Sequence, residues 1–387
     1  MRIRRGRVVA LALSAALTLG AAYELWLPAR IAWEPAQLAG IPAQRAEGLV
    51  LQDQREGALW ATRGYALYRS RGGAAFERVT TLVPRFGPAW AGFSRSFRDA
   101  FRYQELAEVM VLDEQTLLVF AGGDAYRVNA ASGAAEPVHQ LRYFGPSRGR
   151  GLMPHGLTRD ASGTIYYGEY PTAQLAAGET VRVWRSRDDG RSWEVAHEFA
   201  AGAVRHIHAV QWDAFAQALW VATGDDDASS RIGYSRDGGA TFVWIGAGSQ
   251  TFRAVSLLFT PEAVSWVMDS PNVPTRFVRW DRQSGALRES AGVLPSPGYY
   301  VQPLGGERGL ATLAERSAAV WLVGDGEPRE LASWPVDPRP GRPHPAVRLL
   351  RSAAQQSGSS ELLVNPLRTR SEPAAIYRVQ AAALLAR

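Results

Sequence analysis

The chain has 387 residues, 46% of them hydrophobic, with 38 Gly, 23 Pro and 13 Trp, a composition suited to many short strands joined by tight turns. Four units of its formal +6 charge come from Arg2, Arg4, Arg5 and Arg7, and the rest lacks the balance of a nucleic-acid-binding protein. Cys is absent, which excludes disulfides and thiolate sites, and every basic residue is Arg, so arginine abundance reads partly as GC-rich codon usage rather than as a phosphate-binding signal.

Taken in chain order, Arg2 to Arg7 is a positive stretch, and Val8 to Ala22 is an uncharged run of 15 residues. A membrane span needs roughly 20 apolar residues, whereas the apolar part of an export signal runs about 7 to 15. Gly20, Ala21 and Ala22 offer a cleavage site. Residues 1–23 are therefore expected to be a signal peptide or an uncleaved anchor in the inner membrane, with the rest periplasmic or extracellular. Residues 24–46, with Pro28, Pro35 and Pro42, read as a linker containing one extended stretch around Arg30 to Glu34.

From Gly48 onward one phrase repeats: an apolar strand, a polar turn, a second strand, a loop, and a third strand with alternating aromatics. The third strand recurs as Tyr65 to Arg69, Asp124 to Val128, Arg182 to Arg185, Arg231 to Tyr234, Arg276 to Trp280, Ala318 to Val323 and Ala375 to Val379. A second strand precedes each, from Leu59 to Thr62 through Leu362 to Asn365. Seven recurrences imply seven antiparallel four-stranded units within one domain, residues 47–387. The last unit lacks a clear fourth strand, and residues near Ile31 to Trp33 are expected to supply it from the other end of the chain.

The turn after the third strand carries a second signature. Ser186-Arg187-Asp188-Asp189-Gly190-Arg191-Ser192-Trp193 returns 49 residues later as Ser235-Arg236-Asp237-Gly238-Gly239-Ala240-Thr241-Phe242, and Ser70 to Phe76 is a third copy without the Asp. The Asp can accept bonds from the turn's own amides, the Gly can take positive φ, and the closing aromatic can wedge against the next repeat. These octapeptides resemble the Asp-box, or BNR repeat, of sialidases and many other β-propellers. The resemblance implies an all-β, seven-bladed propeller, with the box as a turn at the blade periphery and away from the ligand face.

In a propeller, the loops leading into first strands and those joining second to third strands share one face around the channel. The phrase puts His155, Arg205, His206, His208, Arg253, Tyr299, Tyr300, His344 and Arg348 there from the first group, and Glu169, Asp225, Asp226, Asp227, Asp269, Glu315 and Asn365 from the second. His206-x-His208 has strand spacing, and His155 leads into the adjacent unit. Three imidazoles of this kind could hold one divalent metal, with Asp225 or Glu169 as a further ligand or a supporting acceptor. The alternative is that these histidines bond to backbone at the channel mouth. Propeller polysaccharide lyases acting on uronic-acid oligomers are similar in the type and placement of such histidines. Met153 to Leu157, followed by Asp160 and Gly163, also resembles a phrase of sugar-lactone and peptide-binding propellers.

Arg205, Arg253 and Arg348 could clamp a carboxylate. Asp225 to Asp227 could bind calcium or a sugar hydroxyl, or simply cap their own turn. Trp90 and Phe93 are candidates for stacking on a sugar. Tyr299 or Tyr300 with Glu315 could form a sialidase-like nucleophile pair, but the family's Arg-Ile-Pro-like motif is absent. No phosphate loop, zincin motif or Gly-x-Ser-x-Gly elbow occurs.

Two classes of function follow. One is an enzyme on an acidic glycan or polysaccharide, a hydrolase or a lyase. As a lyase it would carry a metal on His155, His206 and His208, use Tyr300 or another base, draw on Glu169, orient substrate with Arg253, and bind it through Arg205, Asp225, Asp269, Tyr299, Glu315 and Arg348. The other is a non-catalytic envelope propeller binding a glycan or a protein through the same face. Either is expected to be monomeric and without nucleic acid.

Overall fold

The computed structural model describes residues 27–82, 108–145, 147–305, 308–314, 318–324, 326–336, 345–351, 360–371 and 374–386. The expected leader or anchor, the sugar-stacking candidates Trp90 and Phe93, and the site candidates Glu315 and His344 lie outside them. Among the described residues no helix is long and apolar enough to cross a membrane.

The described strands form seven antiparallel sheets of four or five strands and an eighth of three. Each larger sheet contains one of the seven predicted third strands, and the order within a sheet follows the chain, as in Val50–Arg55, Ala58–Arg63, Ala66–Arg71 and Phe76–Thr81, except where amino-terminal strands join the first and last sheets. The fold is a β-propeller. Its second strands are buried on both faces because a neighbouring sheet covers each side. Ala218–Gly224 is buried throughout, and Trp60, Trp220 and Trp266 in three such strands are almost wholly enclosed. The fourth strand Glu194–Phe199 is instead exposed or half-buried along its length, with only Phe199 buried.

The two octapeptide turns make the same four bonds. In the first, Ser186 Oγ donates to Asp188 Oδ1 at 2.8 Å, and Asp188 also accepts from Ser192 N at 2.9 Å and Ser192 Oγ at 2.6 Å, while Gly190 N donates to Ser186 Oγ. Ser235, Asp237, Gly239 and Thr241 repeat the set. Gly190 has φ +80°, and a Cβ there would lie 2.8 Å from Leu118 of the neighbouring sheet. Trp193 extends the contact onto Phe120. In the copy without the Asp, Ser70 Oγ donates to Ala74 O instead.

The expectation that Ile31 to Trp33 completes the last sheet is corrected. Arg30–Ile31 pairs with Phe76–Thr81 as a fifth, outermost strand of the first sheet. The strand that joins the last sheet is Ile41–Glu47, whose Gln44 to Glu47 pair with Arg378 to Ala375, and Glu34–Leu38 folds back on it as a hairpin. Pro42 has no N–H for a ladder, and it is accommodated because its partner is Gln37 of the hairpin rather than the last sheet. Between the first and last sheets, Asn365 accepts from Leu51 N at 2.8 Å and donates to Leu49 O at 3.1 Å.

Candidate functional site

Inner strand His206–Asp213 pairs with Ala218–Gly224, and the register slips between Ile207 and Ala209, so His208 is the extra residue of a bulge. Bulges re-aim side chains, and here the two imidazoles stand with centroids 4.9 Å apart. The approach requires Gly224, where a Cβ would lie 2.6 Å from His208. Asp225 follows directly. His206 Nε2 and His208 Nε2 are 3.0 Å apart, and Asp225 Oδ1 lies 3.2 and 3.1 Å from them. Among the described residues these three form a group able to hold a metal ion.

The other ring nitrogens decide the chemistry. His206 Nδ1 faces Pro171 O at 3.4 Å and His208 Nδ1 faces Ala254 O at 3.2 Å. A carbonyl oxygen only accepts, so in the neutral ring Nδ1 carries the proton and Nε2 presents a lone pair. Burial pushes His206 down to about 4, which keeps it neutral near pH 7. With both rings in that tautomer two nitrogen lone pairs and a carboxylate oxygen converge, an arrangement that a cation stabilises.

Around this group Arg253 donates from Nη2 to Asp225 Oδ1 at 3.1 Å, from Nη1 to Asp225 O at 2.8 Å and from Nε to Asp269 Oδ2 at 3.2 Å. Arg205 Nε lies 3.6 Å from Asp225 Oδ2. Asp225 and Arg205 are half-buried, so the group meets solvent through them. Asp226 Oδ1 accepts from Ser229 N and Asp227 Oδ1 from Gln250 Nε2, which makes both of them supports of their own loop.

Other predicted site residues stand elsewhere. His155 is not in the metal-capable group: its carbonyl accepts from Val210 N, which aligns it with the middle of the adjacent inner strand rather than its start. Its ring stacks on Tyr300 at 4.6 Å, and among the described residues neither ring nitrogen has a hydrogen-bond partner. Tyr300 is itself buried, with its hydroxyl pushed up to about 12 by burial, which makes it a poor base. Glu169 is committed to Arg182 N at 2.9 Å, Trp184 Nε1 at 2.9 Å and Arg142 at 3.3 Å. Arg348 is turned into the channel onto Glu108 at 2.5 Å. Tyr299 meets Tyr300 edge-on and gives its carbonyl to Ser256 Oγ. A cavity of about 460 Å³ opens away from the group, among Asp53, Val111, Arg159, Gln211 and Arg351, at the far ends of inner strands.

Two neighbours of the group escaped the sequence reading. The three-stranded sheet, made of Phe144–Gly145, Gly149–Gly151 and Tyr170–Pro171, lays the Tyr170 ring on His206 at 3.8 Å and brings the Arg150 guanidinium to 5.8 Å from that ring. The available signal was the long stretch between Gln140 and Leu157, which has no counterpart in the connection from Phe199 to His206.

No protein-family model matches the chain, and no curated protein matches it. Solved structures share the fold at low identity. An oligogalacturonate lyase in complex with manganese is 10% identical, with a TM-score of 0.56 over 90% of this chain and 96% of that one. The oligogalacturonate lyase of Vibrio parahaemolyticus is 9% identical, with a TM-score of 0.54 over 90% and 96%. YCF48 bound to D1 peptide is 10% identical, with a TM-score of 0.50 over 90% and 95%. These likenesses establish the β-propeller and nothing finer.

Proposed function

We propose that this is an exported propeller, carrying a leader or anchor in residues 1–23, that binds a divalent cation at His206, His208 and Asp225 and acts as a lyase on an acidic glycan. The observation that carries the reading is the convergence of two imidazole nitrogens and one carboxylate oxygen within 3.0–3.2 Å, at a solvent-facing loop. The fold shared with an oligogalacturonate lyase in complex with manganese supports it as an analogy. A divalent ion bound there would neutralise a uronate carboxylate and acidify the hydrogen on the adjacent carbon. Arg253 holds Asp225 in place from two sides, and Arg205 lines the open side where a sugar acid would approach. Tyr170 covers the His206 ring and shields it from water.

The test is the metal content of the purified protein, by mass spectrometry, for wild type and the His206→Ala, His208→Ala double variant, followed by assay of polygalacturonate for unsaturated products. About one equivalent of a divalent metal, lost in the double variant, and metal-dependent unsaturated product are expected. Absence of metal after reconstitution overturns the reading. One observation favours a second reading, a propeller that binds the glycan without cleaving it: the predicted base Tyr300 and the acid Glu169 are both buried and otherwise engaged. Metal-dependent binding of polygalacturonate without unsaturated product would select that reading.

A further inference from the structure

A site for a polyanion needs cationic groups with no anion of their own, and most arginines near the group fail that condition. Arg253 bridges Asp225 and Asp269, Arg205 leans on Asp225, Arg142 serves Glu169 and Glu179, and Arg348 and Arg351 share Glu108. Arg150 is different. It is exposed, and among the described residues it makes no ion pair.

Its position is set by backbone. Arg150 carries the one side chain of the short strand Gly149–Gly151, whose flanking glycines leave the guanidinium unshielded. That strand pairs with Tyr170–Pro171 so closely that a Cβ on Gly149 would lie 2.1 Å from Tyr170 O. The guanidinium is 5.8 Å from the Tyr170 ring, and that ring is 3.8 Å from the His206 ring, so Arg150 stands within about 10 Å of the His206 ring, a span that two adjacent sugar units with their carboxylates bridge.

We propose that Arg150 binds the carboxylate of a second acidic sugar, neighbouring the one held at His206, His208 and Asp225, so that the site selects glycans with acid groups on adjacent units. The inference rests on reading that group as an acidic-glycan site. One uronate occupies the group, and a polyuronate presents its next carboxylate a sugar ring away, where a planar guanidinium takes it with two parallel bonds. An exposed arginine gives up little hydration in doing so, and a neutral neighbouring sugar offers it no partner. The three-stranded sheet is thereby a recognition element built beside the group.

Calorimetric titration tests this with manganese-loaded wild type, Arg150→Gln and Arg150→Lys, each against galacturonate and trigalacturonate. Expected are an unchanged metal content and melting temperature in Arg150→Gln, unchanged affinity for galacturonate, and about tenfold or greater weakening for trigalacturonate, partly recovered by Arg150→Lys. Equal weakening for both sugars would put Arg150 at the first sugar and overturn the inference. So would an Arg150→Gln protein indistinguishable from a wild type that binds both sugars, and in that case the acidic-glycan reading stands. A wild type that binds neither sugar in the presence of manganese removes the reading and the inference together.

Discussion

His206 and His208 show how one protein uses the same side chain in two ways, and His155 and His139 supply the contrast. In His155 burial, then the charges of Arg351 and Arg348, push the ring well below its usual value, and burial pushes His139 down to about 4. Both remain neutral in the fold while the unfolded chain binds protons below about pH 6.5, so stability falls as the pH drops from about 6.5 toward 4. His155→Phe keeps a ring against Tyr300 and removes one of these protonation sites. Its unfolding curve is expected to be flatter over that pH range by about 1 kcal/mol or more, with metal content unchanged; parallel curves would show that His155 is charged in the fold. The histidine pair and Asp225 were legible in the sequence because strand spacing and a Gly-Asp loop are local signals. His155 was misplaced because its depth follows from a backbone bond to the adjacent sheet. Arg348 was misplaced because its partner Glu108 lies on another sheet, 240 positions away.

At the scale of the element, the two octapeptide turns are the most sequence-determined features of the molecule. Asp188 sits near 2: its small desolvation is outweighed by bonds from Ser192 and Ser186. In Asp237 the bonds from Thr241 lead in holding the carboxyl low. Asp188→Ala and Asp237→Ala are each expected to cost about 1–3 kcal/mol in denaturant unfolding, since each leaves turn amides without an acceptor. Because these turns lie at the outer ends of their sheets, neither change should release metal. Loss of metal at unchanged stability would contradict that separation. Apolar runs made the second strands readable, and alternating aromatics the third, to within about two residues. The three-stranded sheet was not readable, because it occurs once and its strands are two or three residues long. The closing strand was placed ten residues early because Pro42 argues against a ladder, and the hairpin that excuses Pro42 is a tertiary fact.

For the whole molecule, the decisive interactions are those that join sheets distant in sequence. Glu108 of the second sheet accepts from Arg348 at 2.5 Å, at the end of the last sheet's inner strand Ala346–Arg348, and from Arg351 at 2.8 Å, just beyond it, and Arg351 also reaches Asp53 of the first sheet at 3.4 Å. Glu108→Gln would leave two buried guanidinium groups short of an anion, and a loss of about 3–5 kcal/mol is expected from equilibrium unfolding. A loss under about 1 kcal/mol would mean that Asp53 and the backbone carbonyls suffice. None of these pairs could be read from the sequence, since a repeat reveals its period and not which charged residues face the axis.

The ladder between Ile41–Glu47 and Ala375–Gln380 has a consequence for assembly. Until those strands meet, an otherwise folded chain carries an unpaired strand at one end and an open sheet edge at the other, and each fits its counterpart on a second copy as well as on itself. Refolding at high protein concentration should therefore yield some domain-swapped dimers, in which each chain lends its amino-terminal hairpin to the other's last sheet. Chromatography of samples refolded at rising concentration would show them, and a copy held closed by a covalent link between Gln44 and Arg378 would not form them.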